Sequence, residues 1–525
     1  MNYSRLLLRS PNWRTSNTKD LNVWQSVKND SSALNSGFEA EELSAMDGSW
    51  SVVEKRADEI VLATDLPRSH PLSYAFINDK WVVTDDVEQL RNEMVFRPNQ
   101  AQINAFKHTA FALGDETLVE GIYSTPAATL TRLFPDGTKT SEPIIEFRYS
   151  ENPIENPELF TEHFSKALDE TFGRLLENAG SRELVIPLSG GLDSRLIAIW
   201  LKKLNAPNIT CFTYGKPDST ESRISRQVAD DLGLKWIYIS MEPEEVRRAW
   251  NKHSDAFLRA TWKGTSLPHV QDWFSLFQMK QNNVISQDAI FLPGHTIVGN
   301  MHDESLVEHN PTKSERLESA LRHYANMQGK WQTASRLPAI QQELVSKISS
   351  FKDDGPRSRQ SFFESLNVYN RQAKYINNSM SSYEYFGYSW ALPMLEKEVW
   401  QTWLTGSQDL TLSRRWYKEF ITKKFSEETG RTIALFSAPS TKMPELPKQI
   451  LLKFMRATRA NILLDRYRSA KTVVDHPMAF EAFTEVSRKQ QFRRVMTGTN
   501  QLGFWTESFL NNSWGGQGKI VPEAI

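Results

Sequence analysis

The chain has 525 residues, enough for two or more domains that each bury a proper core. Lysine plus arginine (62) nearly cancels aspartate plus glutamate (63), so no global charge points to nucleic acid or to an anionic membrane. The single cysteine, Cys211, excludes an internal disulfide framework and a multi-cysteine zinc site. With no apolar targeting run at the start and no spanning segment of about 18 apolar residues, the expectation is a soluble, cytoplasmic chain.

In chain order, residues 48–54 and 59–64 read as two short strands joined by a charged turn. Residues 65–74 are rich in turn formers, and residues 75–84 read as a hairpin with Asn78-Asp79 at its tip. Short strands at this spacing predict an antiparallel β-rich layer. The run Ala63-Thr-Asp-Leu-Pro-Arg-Ser-His-Pro-Leu-Ser-Tyr74 resembles the Ala-x-Asp-x-x-Arg-x-x-Pro-Leu-x-Tyr stretch of the glutaminase domain of class II amidotransferases, the family that includes asparagine synthetase. Pro135-Asp-Gly137 resembles the hairpin that closes that domain, which the resemblance places at residues 1–145 with an Ntn-like antiparallel fold. The chemistry of that domain needs an N-terminal cysteine whose thiolate attacks the glutamine amide. This chain reads Met1-Asn2-Tyr3, and Cys211 falls in a predicted strand of the other domain, so a degenerate, non-hydrolysing domain is expected.

The next part is expected over residues 150–525. Asn156-Pro157 opens a helix with Phe160, Phe164, Leu168, Phe172 and Leu176 on one face. Residues 184–188 form a predicted buried strand. Ser189-Gly190-Gly191-Leu192-Asp193-Ser194 and a helix up to Leu204 follow. Strand, glycine turn and helix start direct free N–H groups and a helix dipole at an anion. The hydroxyls of Ser189 and Ser194 add donors, and Asp193 offers a carboxylate for magnesium. Strands at 209–215 and 235–240, separated by a helix that ends at Gly233, argue for parallel β-α-β units. The six residues from Ser189 to Ser194 resemble the pyrophosphate loop of the ATP pyrophosphatase superfamily, which splits ATP between the α- and β-phosphates.

That resemblance implies ATP and Mg2+ as cofactors, bound by Ser189, Gly190, Gly191, Leu192, Asp193 and Ser194, with Asp193 on the metal. It makes Tyr214, at the end of the second strand, a neighbour of adenine, the alternative being plain core. It also places Gly294 in the loop after a further strand. Asparagine synthetases carry acidic residues in that loop, whereas this chain has Gly294-His-Thr-Ile-Val-Gly299 with no carboxylate; the alternatives are that Asp193 suffices alone, that Asp303 or Glu304 reaches in, or that the activity is lost. His295 is either a phosphate or acyl contact or a structural histidine.

From Gln360 the chain reads helical, with Gly387, Pro393 and Glu396 resembling the family's Gly-x-x-x-x-x-Pro-x-x-Asp pattern. Glu384 is a candidate catalytic carboxylate or an exposed helix residue. Lys442, in a Pro/Ser-rich loop, stands where the family places its catalytic lysine, or is a surface lysine. Basic residues between Lys448 and Arg494 line either solvent faces or a dock for an anionic substrate or partner protein.

The fold class implied is thus an Ntn-like antiparallel β domain followed by a parallel-sheet α/β ATP pyrophosphatase domain with a helical C-terminal part. The activity implied is AMP-forming amide ligation, in which a small-molecule or peptide carboxylate is activated for attack by ammonia or an amine. An intramolecular cyclase of the β-lactam synthetase or lasso-peptide type and a non-catalytic nucleotide-binding relic are the alternatives. Neither nucleic acid nor membrane is an expected partner; a homo-oligomer or partner protein is compatible with the sequence.

Overall fold

The computed structural model describes residues 3–16, 20–26, 39–217, 219–431 and 460–511, the last with side chains from 466 onward. The first part builds two sheets. One has the order β10-β9-β5-β4-β3-β2, from β2 (Trp13–Thr15), β3 (Leu21–Gln25), β4 (Trp50–Lys55), β5 (Ile60–Thr64), β9 (Thr129–Leu133) and β10 (Lys139–Pro143), all antiparallel. The other has the order β1-β7-β6-β8, from β1 (Ser4–Leu7), β6 (Ser73–Ile77), β7 (Lys80–Thr84) and β8 (Tyr123–Ser124), with β1 parallel to β7. The period-2 pattern decides what each face buries. Val53, Ile60 and Leu62 join Leu72, Tyr74, Trp81 and Val83 in one cluster, while Val52, Val61 and Ala63 turn to another with Leu21 and Val23. The β6–β7 hairpin turns at Asn78 and Asp79, with φ of 48° and 60°, the left-handed pair that a type I′ turn requires.

The second part is organised on a parallel sheet of order β13-β12-β11-β14-β15. Its strands are β11 (Leu184–Pro187), β12 (Ile209–Gly215), β13 (Lys235–Ser240), β14 (Ile290–Phe291) and β15 (Ser389–Trp390). The register runs Val185↔Phe291↔Trp390 on one side of β11 and Ile186↔Cys211↔Trp236 on the other. The chain moves outward from β11 to β13, then returns to the far side of β11 at β14. The switch point of this doubly wound sheet therefore lies between β11 and β14.

Helix Pro157–Ala179 starts at an Asn156 cap with proline in its first turn. It packs Phe160 and Phe164 against Trp403, Trp416 and Phe420, the closest ring pair being Phe160–Trp416 at 4.5 Å. Helix Thr220–Leu232 is capped by Ser219 and ends at Gly233, φ 66°. The helix Met380–Tyr385 ends before Gly387, φ 81°, and β15, which the sequence reading did not foresee, follows. Two residues are too short to imprint a strand period. The cores run across residue 145: Phe106, Leu118 and Val82 pack in one cluster with Trp250, Trp262 and Trp505. No helix among the described residues is long and apolar enough to cross a membrane.

Candidate active site

The loop after β11 is held from below and within. Leu188 N–H donates to Phe212 O at 2.9 Å, and Thr213 Oγ1 donates to Leu188 O. Ser189 N–H donates to Ser194 Oγ at 3.2 Å, the two hydroxyl oxygens lie 3.2 Å apart, and Gly191 N–H donates to Ser189 Oγ at 3.1 Å. A Cβ on Gly191 would fall 3.0 Å from Ser189 Oγ. Helix Leu192–Lys203 then begins at Gly191 with no side chain capping it. Its first N–H groups and the positive end of its dipole are left for an anion.

The loop after β14 meets this helix start. A Cβ on Gly294 would stand 2.7 Å from Ser194 N and 3.1 Å from Asp193 Cβ, so only glycine allows the approach. Both loops thus emerge at the switch point between β11 and β14, where ligands of such sheets bind. At the far end of the same loop Gly299, φ 63°, leaves the space that the Arg414 side chain crosses. Arg414 reaches back to form an ion pair with Asp193. Burial pushes the Asp193 carboxyl above its ordinary range, while the Arg414 charge pulls it down, with Tyr417 against the same carboxylate. Arg414 escaped the sequence reading because only packing joins it to a loop more than 200 residues earlier.

Asp193, the carboxylate expected on magnesium, is therefore engaged by a guanidinium. Among the described residues no three His, Cys, Asp or Glu side chains gather as metal ligands. Asp303, one of the acids expected to reach in, instead accepts from Ser305 N–H at 3.2 Å and from Ser319 Oγ at 2.6 Å, beside His302. Glu304 is exposed at the start of the short helix Ser305–Glu308. Among the described residues, neither Asp303 nor Glu304 is joined by a hydrogen bond or ion pair to the 189–194 loop.

Tyr214 donates its hydroxyl to Asp272, which also accepts from Tyr383 OH at 2.9 Å. The main chain at the end of β12 is engaged as well. Lys216 N–H donates to Pro477 O at 2.6 Å, and Gly215 O accepts from Met241 N–H at 2.9 Å and from Tyr238 OH at 2.8 Å. Lys216 Nζ pairs with Asp475 and with Glu481, the latter at 2.9 Å. A segment from the C-terminal part thus covers the edge at which adenine was expected.

His295 stands in the β14 loop with Nε2 3.5 Å from Ser379 Oγ and a buried Nδ1 that has no partner; burial lowers its pKa to about 3. Glu384 lies in a different cluster. It accepts from Trp390 Nε1 at 3.1 Å, 4.0 Å from His70 Nδ1 and 3.9 Å from Lys263 Nζ, with Asp85 on the other ring nitrogen of His70. Among the described residues no hydrogen bond or ion pair joins Glu384 to the 189–194 loop. Lys442 lies outside the described residues, as do Lys448 and Lys453. Of the later basic residues, Arg494 is paired with Glu507. A groove of about 1170 Å3 between residues 146–155 and helix Pro356–Asn367 shares no residue with the loop.

A glycine turn feeding an uncapped helix at the switch point of a doubly wound parallel sheet is an arrangement that can receive an anion. Residues 163–268, which contain it, match the family model for asparagine synthase. No curated protein matches the chain in sequence. Similar solved structures include an NH3-dependent NAD synthetase from Campylobacter jejuni subsp. jejuni NCTC 11168 in complex with the nitrate ion, at 18% identity over 30% of this chain and 63% of that chain, TM-score 0.19. Another is NMN synthetase from Francisella tularensis, at 13% identity over 54% of this chain and 100% of that one, TM-score 0.19. The chain spans less than two thirds of the first, and superpositions this loose carry no argument about activity.

Proposed function

We propose that the protein is an ATP-dependent, AMP-forming carbon–nitrogen ligase. A substrate carboxylate oxygen attacks the α-phosphorus, the bond to the β-phosphate bridging oxygen breaks, and pyrophosphate leaves. A nitrogen nucleophile then attacks the acyl carbon of the adenylate, and AMP departs with the electron pair of the carbon–oxygen bond. The observation that carries this reading is the 189–194 loop itself. It presents two serine hydroxyls and a helix start without a capping side chain at the switch point, inside a segment that matches the asparagine synthase model. The protein's contribution is placement of the phosphates and stabilisation of the charge that builds up on them.

The nitrogen comes from ammonia, a separate amine or an amine of the substrate. Glutamine hydrolysis by this chain is not part of the proposal: its one cysteine, Cys211, is buried in β12, with its thiol pushed up to about 12 by burial. Lys442 is proposed to neutralise charge in the transition state, so Lys442→Ala lowers turnover far more than ATP affinity. The decisive experiment measures pyrophosphate and AMP release from ATP across a panel of carboxylates, each with ammonia or amines. Release with none of them, while ATP still binds, overturns the ligase.

A second reading, a nucleotide-binding relic without turnover, is supported by Pro477 O on Lys216 N–H and by the carboxylate-free loop at 294–299. ATP binding without pyrophosphate release is the result it predicts.

A further inference from the structure

Arg195 follows Ser194 directly and is only 1% exposed. Its Nε and Nη2 are buried without a hydrogen-bond partner, and burial alone acts on the guanidinium, with no charged neighbour to offset it. The other two buried arginines among the described residues are answered. Arg68 donates to Thr125 O, Ser124 Oγ and Thr265 Oγ1, and Arg359 pairs with Asp353 at 2.8 Å. A guanidinium with two buried nitrogens unanswered is destabilising, so its retention points to an anion that the folded chain does not itself supply.

The position says where that anion sits. Arg195 is the fourth residue of helix Leu192–Lys203. Long helical side chains lean back toward the N-terminus. An arginine side chain outreaches the axial rise of about 4.5 Å that separates this residue from the first of the helix. A side chain of this length that leans this way has the uncapped N–H groups and the serine hydroxyls within its reach. Nearby, Arg414 is already committed to Asp193, and residues 294–299 bring no carboxylate to hold a metal.

We infer that Arg195 is a phosphate-binding residue of this site, its fork taking oxygens of the β- and γ-phosphates of ATP and of the leaving pyrophosphate. It supplies there the positive charge that a metal held by an acidic loop would otherwise bring. When the bond from the α-phosphorus breaks, the electron pair stays on the bridging oxygen of pyrophosphate, and Arg195 neutralises that added charge. The inference rests on the reading that the 189–194 loop binds ATP.

The test is isothermal titration of the full chain with inorganic pyrophosphate, ATP and AMP, each without magnesium, for wild type and Arg195→Met. Arg195→Met is expected to weaken pyrophosphate and ATP by about 10- to 150-fold, the loss of charge-assisted bonds, and AMP by less than about threefold. Its melting temperature without ligand should equal or exceed that of wild type, because an unanswered buried charge is gone. Unchanged pyrophosphate affinity, or a ligand-free melting point several degrees lower, overturns the inference by making Arg195 inert or structural. Should Arg195→Met fail to fold, Arg195→Lys carries the comparison: a lysine keeps the charge without the fork, and wild-type pyrophosphate affinity in it overturns the role of the fork. If wild type takes up neither ATP nor pyrophosphate, the loop reading falls too; if wild type binds both and the variant equally, only the inference falls.

Discussion

Asp193 and Arg414 show how one side chain redirects another. Removing either leaves a partly buried charge without its partner, which costs about 1–3 kcal/mol. Arg414→Met is therefore expected to lower stability in urea by about that amount, and Asp193→Asn with Arg414→Met to cost less than the sum of the two. Additive losses in that double-mutant cycle refute the coupling. Glu364 makes a pH prediction. It is fully buried, accepts from Tyr149 OH at 2.7 Å and Gln360 Nε2 at 3.0 Å, and burial raises its carboxyl from the ordinary 4.5 to about 7. Between those values the folded chain keeps a proton that the unfolded chain has released. Stability from this group is thus full below about 4.5 and falls as pH rises to about 7. Glu364→Gln keeps an acceptor for Tyr149 and should flatten that slope in melting curves taken from pH 4.5 to 7.5; an unaltered slope means the carboxyl titrates normally.

At the scale of elements, the loops after β11 and β14 are shaped by each other. Gly294 has no room for a Cβ against Ser194 N, and the obstacle is backbone, which cannot swing aside. Gly294→Ala is expected to cost about 1–3 kcal/mol, as overpacking does, and to weaken ATP binding at least tenfold, read by denaturation and titration. Wild-type ATP affinity in that variant would detach the β14 loop from the site. The strand–turn–helix at 184–204 was legible because all its signals are adjacent in sequence: an apolar run, paired glycines, then apolar helical spacing. The hairpin read at 75–84 was legible through Asn78-Asp79, although its first strand begins at Ser73. β15 was not, since it has two residues and owes its existence to pairing with β14. The carboxylate of Glu384 was legible as a candidate, but its company of His70, Lys263 and Trp390 was not.

For the molecule as a whole, the C-terminal part does more than add helices. Segment 475–483 lies over the end of β12, tied by Pro477 O to Lys216 N–H and by Asp475 and Glu481 to Lys216 Nζ. Lys216→Ala removes both ion pairs, and amide exchange across 475–483 should quicken. If adenine is read by the end of β12, ATP affinity rises several-fold in the same variant; unchanged affinity with faster exchange puts adenine elsewhere. The cores also run across residue 145: Trp24 of β3 shares one cluster with Val185, Phe291 and Trp390 of the parallel sheet, and Val82 of β7 shares another with Trp262.

The sequence by itself determined the strand–glycine turn–helix at 184–204, the β-α-β order, the helix opening at Asn156-Pro157, the helix stop at Gly233, and the lack of a carboxylate at 294–299. Each is written in neighbouring residues, where propensity, turn chemistry and periodicity act. Only the tertiary structure decided that Arg414 holds Asp193, that Asp303 is spent on Ser305 and Ser319, that Pro477 covers β12, and that Arg195 is buried with nothing to answer its charge. These depend on which side chains meet after folding and on how much water is left around them. Burial and partnership are properties of packing between distant elements, and no local pattern encodes them.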